Sequence, residues 1–506
     1  MNSFVNLFSW LDSIESSAKN YWKYCLLSLL ILFALILVRY PGFVTEPRIY
    51  GEESIYYETF FHNDVLDGFD ALVYPSYYSG FSRVAGFLAS LVEPESAAAV
   101  LTLFGFLVLI TPILILFLTD CKYWDSLQKK IVLSLFLILS CSTGEIWLNS
   151  NDASFIIVIG TFLILLDDNL ASRAKRIFYA LYIAFAVFNG PITLIMAPFF
   201  AFRYYDTRQK QFFNYCLILF FLGIVHVLYY LVSTNSGIVS PSRFATDRDL
   251  IRSFIFLVST NILFPLIGYF LSILFRVGLD TAYLGLDKSP YLEVIDRIFP
   301  EFIGSGIKQV FYILTSMASF LVGICFVALI VIIYREFKKS NLEERVYFLS
   351  LFIYLTLVLT VLSFAGLGGF RYAYVTGFIL LFYLYQGLLF DKEKVKGVLV
   401  KFLLIFSITI GIVEYYPRTI SFTPSILFGE SVKWPNWEAE VGLWRKDSSY
   451  QPKVWPYIKK TNGIWPERVD IWQVDLNKPR AWQEVGGKKF SEELSKLVSP
   501  QKTKPK

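Results

Sequence analysis

The chain has 506 residues, of which 55% are hydrophobic, 18% aromatic and only 17% charged, whereas soluble domains carry about a quarter charged residues. That balance excludes an ordinary soluble fold and reads as an all-α polytopic membrane protein. The formal net charge of +5 is spread over many loops, so it argues against a nucleic-acid partner and bears instead on orientation in the bilayer. Residues 1–20 are polar and mixed in charge, as expected of a cytoplasmic N-terminus. The first span, Tyr21 to Val38, is too long for a signal h-region and has no small-residue cleavage site, so it reads as a retained anchor.

Residues 39–96 form the first large loop. Within it Glu52 and Glu53 follow Gly51 and open an aromatic, half-polar run, Ile55 to Phe61, which predicts a short helix lying flat on the bilayer surface. Further segments suited to crossing about 30 Å of hydrocarbon are Ala97 to Thr119, Ile131 to Thr143, Ser154 to Leu166, Ile177 to Asn189, Ile192 to Phe202 and Phe213 to Val232. Four of these are short and must recruit flanking residues. Val310 to Tyr334, Val346 to Ala365, Tyr372 to Phe390 and Val398 to Val413 complete about eleven candidate spans.

Lys and Arg accumulate on the cytoplasmic side of membrane proteins. The stretches Asp120 to Lys130, Ala171 to Arg176 and Arg203 to Lys210 are basic, while the loops around Asn149 and Asn189 carry no Lys or Arg. The first set is therefore expected in the cytoplasm, and the first large loop outside. Leu250 to Val277 is apolar enough to cross, yet a crossing there would put the basic loop Tyr334 to Arg345 outside. A re-entrant or interfacial pair broken near Asn261 to Pro265 fits the charge rule better. It leaves a second outer loop at residues 233–309, closes the membrane domain of residues 21–416 and places the C-terminus outside. Residues 417–498 hold Trp434, Trp437, Trp444, Trp455, Trp465, Trp472 and Trp482, seven of the eleven tryptophans, with no run long enough to span. They read as a small water-facing region whose rings serve as core and interface anchors, and residues 499–506 read as a disordered tail.

Cys25, Cys121, Cys141, Cys216 and Cys325 lie in or beside apolar segments, and neither they nor the distant His62 and His226 have metal-ligand spacing. The polar stretch Glu145 to Asp152, "EIWLNSND", stands at the outer ends of two spans. Turn and cap formation accounts for Asn149, Asn151 and Asp152, but not for Glu145.

Three features together resemble the GT-C class of integral-membrane glycosyltransferases. They are the acidic first outer loop "EPRIYGEESIYYE" directly after the first span, the second long outer loop before the last spans, and "GGFRYAYV", which sets Arg371 and Tyr372 at the outer mouth of a late span. The resemblance implies transfer of a sugar from a polyprenyl-phosphate donor to a glycan, lipid or protein acceptor at the outer face of the cell inner (plasma) membrane. Its members often carry Asp where this chain has the Glu52–Glu53 pair. Such a reaction needs a carboxylate to take the acceptor proton and a cation to hold the departing phosphate. Glu53 or Glu52 is expected as the base. Arg371, with Tyr372 beside it, is expected at the phosphate, with Arg243 and Arg248 of the second outer loop and Glu145 as further substrate-binding candidates. The metal requirement stays open, a divalent ion included. The competing expectations are a transporter or flippase, and a surface-polysaccharide polymerase or ligase.

Overall fold

A computed structural model of the chain describes residues 21–39, 41–63, 65–70, 78–140, 147–235, 351–356, 373–390, 394–415, 432–433, 436–454, 457–458 and 474–476, with scattered positions between 255 and 279 and residue 331. Its described part is mostly helical. The helices are α1 (Tyr21–Arg39), α2 (Pro41–Thr45), α3 (Gly51–His62), α4 (Val65–Asp70), α5 (Gly80–Ser90), α6 (Pro94–Leu118), α7 (Leu127–Leu139), α8 (Ala153–Leu165) and α9 (Arg173–Phe188). A 3-10 segment, Pro191–Met196, leads into α10 (Ala197–Thr207) and α11 (Lys210–Asn235), and α12 (Ala373–Phe390) and α13 (Lys394–Tyr415) follow later. A two-residue antiparallel pair, Val432–Lys433 with Tyr457–Ile458, flanks α14 (Trp437–Lys446). Among the described residues α1, α6 and the Lys210–Tyr229 part of α11 are long and apolar enough to cross a membrane. Ala153–Leu165, Val258–Gly268, Ala373–Tyr385 and Lys401–Val413 are apolar helices of shorter length.

Every residue of α8 is buried, as its uninterrupted apolar sequence requires. Its 13 residues rise only about 20 Å, less than the hydrocarbon thickness. Because α6, α9, α12 and the 3-10 segment all pack on it, its ends are enclosed by protein, and the polar loop before it finds its hydrogen bonds there. The predicted span Ile192 to Phe202 is not one continuous α-helix. Pro198, in the first turn of α10, has no N–H to offer the preceding carbonyls, and the chain enters by the tighter 3-10 turn after Gly190, whose φ is 142°. Near the predicted break at Asn261 to Pro265 the backbone runs as a π-helix, Val258–Leu263.

The three basic stretches meet at one end of the bundle. Lys175 pairs with Asp167 at 2.8 Å and Asp120 at 3.2 Å, Arg203 pairs with Asp168 at 2.6 Å, and Asp168 N–H donates to the Asp120 carbonyl at 2.8 Å. At the other ends of α6, α8 and α9 the first loop, residues 147–152 and Asn189 come together. The Asn189 side-chain oxygen accepts from Phe81 N–H at 2.6 Å, and the Ser82 hydroxyl donates to the Ser150 carbonyl at 3.2 Å.

The C-terminal region joins this second end. Trp437 is buried, its indole donates to the Pro94 carbonyl at 2.6 Å, and its ring meets Tyr57 edge-on at 6.1 Å. Arg445 pairs with Glu93 and Glu95 at the rim, and a ring nitrogen of His62 lies 2.6 Å from the Asp475 carbonyl. Segments that touch in this way lie on one side of the membrane, so α14 and the first loop share a side. Trp444, also on α14, packs partly buried against the same cluster as Trp437, and the other five tryptophans of the region, Trp434, Trp455, Trp465, Trp472 and Trp482, fall outside the described residues.

Two outcomes are expected. A reporter fused after residue 506 should give the same sidedness as one inserted between Ser90 and Glu93; opposite signals would contradict the docking of α14 on α6. At Gly105 an added Cβ would lie 2.1 Å from the Leu148 carbonyl carbon, whereas at Gly442 it would meet nothing within 4 Å. Gly105→Ala should therefore cost about 2 kcal/mol through overpacking, read as a lowered Tm in detergent. Gly442→Ala should leave Tm unchanged or raised, and equal effects at the two positions would contradict the close approach.

Candidate functional site

Tyr50 precedes α3 in an extended conformation, and Gly51, Glu52 and Glu53 form the helix's first turn, where backbone N–H groups lack intrahelical partners and favour acids. Glu53 reaches back to accept the Tyr50 N–H at 3.0 Å, the reciprocal half of a capping box. Its other oxygen accepts both the backbone N–H and the hydroxyl of Ser150, each at 2.7 Å. The Arg48 guanidinium lies 3.9 Å away. Glu53 is 2% exposed. Burial pushes its carboxyl above the ordinary carboxylate range, against the pull of Arg48 and of the Ser150 and Tyr50 donors.

Arg48 is itself buried. It stacks over Phe43 at 4.3 Å and Tyr50 at 5.6 Å, and donates to the Trp147 carbonyl at 3.4 Å. Arg39, at the end of α1, donates to the Ile138 and Ser140 carbonyls and stacks over Trp147 at 4.3 Å. The Trp147 indole in turn donates to the Ile36 carbonyl at 3.1 Å. Two cations thus serve as donors to backbone carbonyls at the end of α7 and in the turn before α8.

Between Trp147 and α8 the chain turns tightly. Leu148 takes a positive φ of 52° against Gly105, and Asn151 N–H donates to the Asn149 side-chain oxygen at 2.8 Å, an Asx turn. The Asn149 amide donates to Asp152 at 3.0 Å. This geometry presents Ser150 to Glu53, and the Asn151 amide donates to Glu52. Glu52 is half-buried at the head of α3. The helix is held from behind by α5, where Gly86 admits the Tyr56 backbone so closely that an added Cβ would lie 2.8 Å from it. Arg83 of α5 donates to the Gly68 and Phe69 carbonyls, at 2.9 Å each.

The structure therefore brings Glu52 and Glu53 together with Asn149, Ser150, Asn151 and Asp152. Glu145, Arg243, Arg248, Arg371 and Tyr372 lie outside the described residues. Arg48, Ser150 and Trp147 were not singled out by sequence. The one local signal for Arg48 is its place between Pro47 and the aromatic Tyr50 in "EPRIYGEE". Among the described residues no group of three or more His, Cys, Asp or Glu side chains is placed to hold a metal ion. Comparison with known families, curated proteins and solved structures returns no match.

Glu53→Gln keeps the shape but offers one acceptor oxygen where three donors converge, so stability should fall by about 2 kcal/mol through the donors left unsatisfied. The pH dependence has a definite sign. A raised folded-state pKa means that proton binding favours folding. The contribution is complete below the unfolded pKa and is lost as pH rises through the folded one. Thermal unfolding across that window should show this loss in the parent and not in Glu53→Gln; parallel profiles would contradict the assignment.

Proposed function

We propose that the chain is a membrane glycosyltransferase that moves a sugar from a polyprenyl-phosphate donor to an acceptor hydroxyl at the outer face of the plasma membrane, with Glu52 as the base. The observation that supports this reading is the difference between two neighbouring carboxylates. Glu53 is enclosed and committed to Tyr50 and Ser150, while Glu52, one residue before it on the same rigid turn, is half-buried and oriented by Asn151. A fixed acid supporting a more accessible one is what a general base at a membrane surface requires.

In the reaction Glu52 takes the proton of the acceptor hydroxyl as that oxygen bonds to the anomeric carbon. The bond from that carbon to the phosphate oxygen breaks, and its electron pair leaves with the polyprenyl phosphate. Arg371 binds the phosphate through its planar fork, with Tyr372 beside it and Arg243, Arg248 and Glu145 as further substrate contacts. The acceptor is a glycan, a lipid or a protein.

A second reading, a transporter or flippase, is favoured by one observation. The π-helix Val258–Leu263 carries fully buried Ser259, Thr260 and Asn261, and Asn261 accepts from Thr376 of α12 at 3.1 Å. Interrupted polar helices inside a membrane domain are common in transporters.

Transfer of radiolabelled sugar from a polyprenyl-phosphate pool into membrane acceptors separates the two. Glu52→Gln should lower turnover about a hundredfold or more with donor binding little changed, and Glu58→Gln should behave as the parent. Arg371→Lys should weaken both donor binding and turnover. Parent-rate transfer by Glu52→Gln would remove the first-loop base, and donor movement across the bilayer without sugar transfer would favour the transporter.

A further inference from the structure

Asn151 has a buried atom that nothing among the described residues satisfies. The residue is 2% exposed. Its side-chain nitrogen donates to Glu52, and this fixes the sense of the amide, because a carboxylate only accepts. Its side-chain oxygen is then an acceptor, and no hydrogen-bond donor among the described residues reaches it. The backbone around it is fixed by the Asn149 turn and by Ser150 on Glu53, so the amide cannot swing to another partner without giving up Glu52. Buried acceptors without donors are rare and call for a partner, and a ligand hydroxyl is one donor that can supply it.

We propose that Asn151 and Glu52 form a recognition pair for a vicinal diol, one hydroxyl donating to the Glu52 carboxylate and its neighbour to the Asn151 side-chain oxygen. This deepens the reading of Glu52 as the base and rests on it. It names the acceptor class as a sugar or other polyol bearing adjacent hydroxyls. The hydroxyl at Glu52 loses its proton as it attacks, while the one at Asn151 keeps its own and sets the ring's orientation. Asn151 is thus a positioning residue that selects the diol and holds the base at the same time. A lone hydroxyl would leave the buried oxygen unsatisfied and be discriminated against, as sites built around a second hydrogen bond discriminate.

The test does not need the transfer reaction. Purified full-length protein in detergent is treated with a water-soluble carbodiimide and glycine ethyl ester, and labelling of Glu52 is followed by mass spectrometry. The probes are methyl α-D-glucopyranoside, which carries adjacent hydroxyls, and 1-propanol, which carries one. The glucoside should slow labelling of Glu52 about fivefold or more in the parent, the scale of one well-made hydrogen bond, and 1-propanol should not. Asn151→Ala should lose this protection. Asn151→Asp keeps an acceptor oxygen in place and should retain more protection by the glucoside than by 1-propanol, which decides the matter if the alanine variant does not fold. Equal protection by the two probes, no protection by either, or protection in Asn151→Ala as strong as in the parent would overturn the proposal. So would protection by magnesium chloride alone, which would mark a cation site instead. If the glucoside protects as described while Glu52→Gln still transfers sugar at the parent rate, the diol site stands and the base reading falls. The reverse pattern removes the diol site and leaves the base.

Discussion

The end of this molecule where the first loop meets the turn before α8 depends on one buried carboxylate. Glu53 joins residues 97 positions apart in sequence, α3 and the turn before α8, through both of its oxygens. A carboxylate accepting several charge-assisted bonds in a dry site is held in one geometry, and removing any partner leaves a buried group unsatisfied. That rigidity is inherited by what stands next to it. Glu52 shares the helical turn and Asn151 shares the Ser150 turn, so their mutual hydrogen bond is set by a connection that neither of them makes.

The apolar helices supply the frame for this connection. The α8 helix is too short to cross a bilayer by itself and is enclosed on all sides, so its polar N-terminal turn sits inside protein rather than lipid. Gly105 of α6 lets the Leu148 backbone approach, and Trp147 locks the same turn to α1 through Ile36 and Arg39. The C-terminal helix α14 closes the opposite flank, with Trp437 against Tyr57 and Pro94. The strained turn at Leu148 persists because its surroundings over-determine it.

Composition and apolar run length made the helical membrane class legible, and the Gly51–Glu52–Glu53 start of an aromatic run marked the helix that bears both carboxylates. The Asn149 to Asp152 stretch was legible as a turn, which it is. Its second role was not, because the Ser150 to Glu53 bonds arise from how α3, α6 and α8 pack, and periodicity along one segment carries no information about which segments meet. The same reason hid Arg48 and Arg39, whose partners are backbone carbonyls about a hundred residues away, a separation that no local pattern encodes. The break in the span beginning at Ile192 had a local signal in Pro191 and Pro198, but apolar run length overrode it.

The central claim is that Glu52, held by Asn151 and backed by Glu53, faces the reacting sugar. The most direct measurement is an experimental structure of the full chain in lipid nanodiscs with an unreactive polyprenyl-phosphonate sugar bound. The account predicts a Glu52 carboxylate within roughly 3 to 5 Å of the space beside the anomeric carbon, leaving room for one acceptor oxygen, with Glu53 still bonded to Ser150. A sugar bound more than about 10 Å from Glu52, beyond any proton transfer through one intervening group, would contradict it.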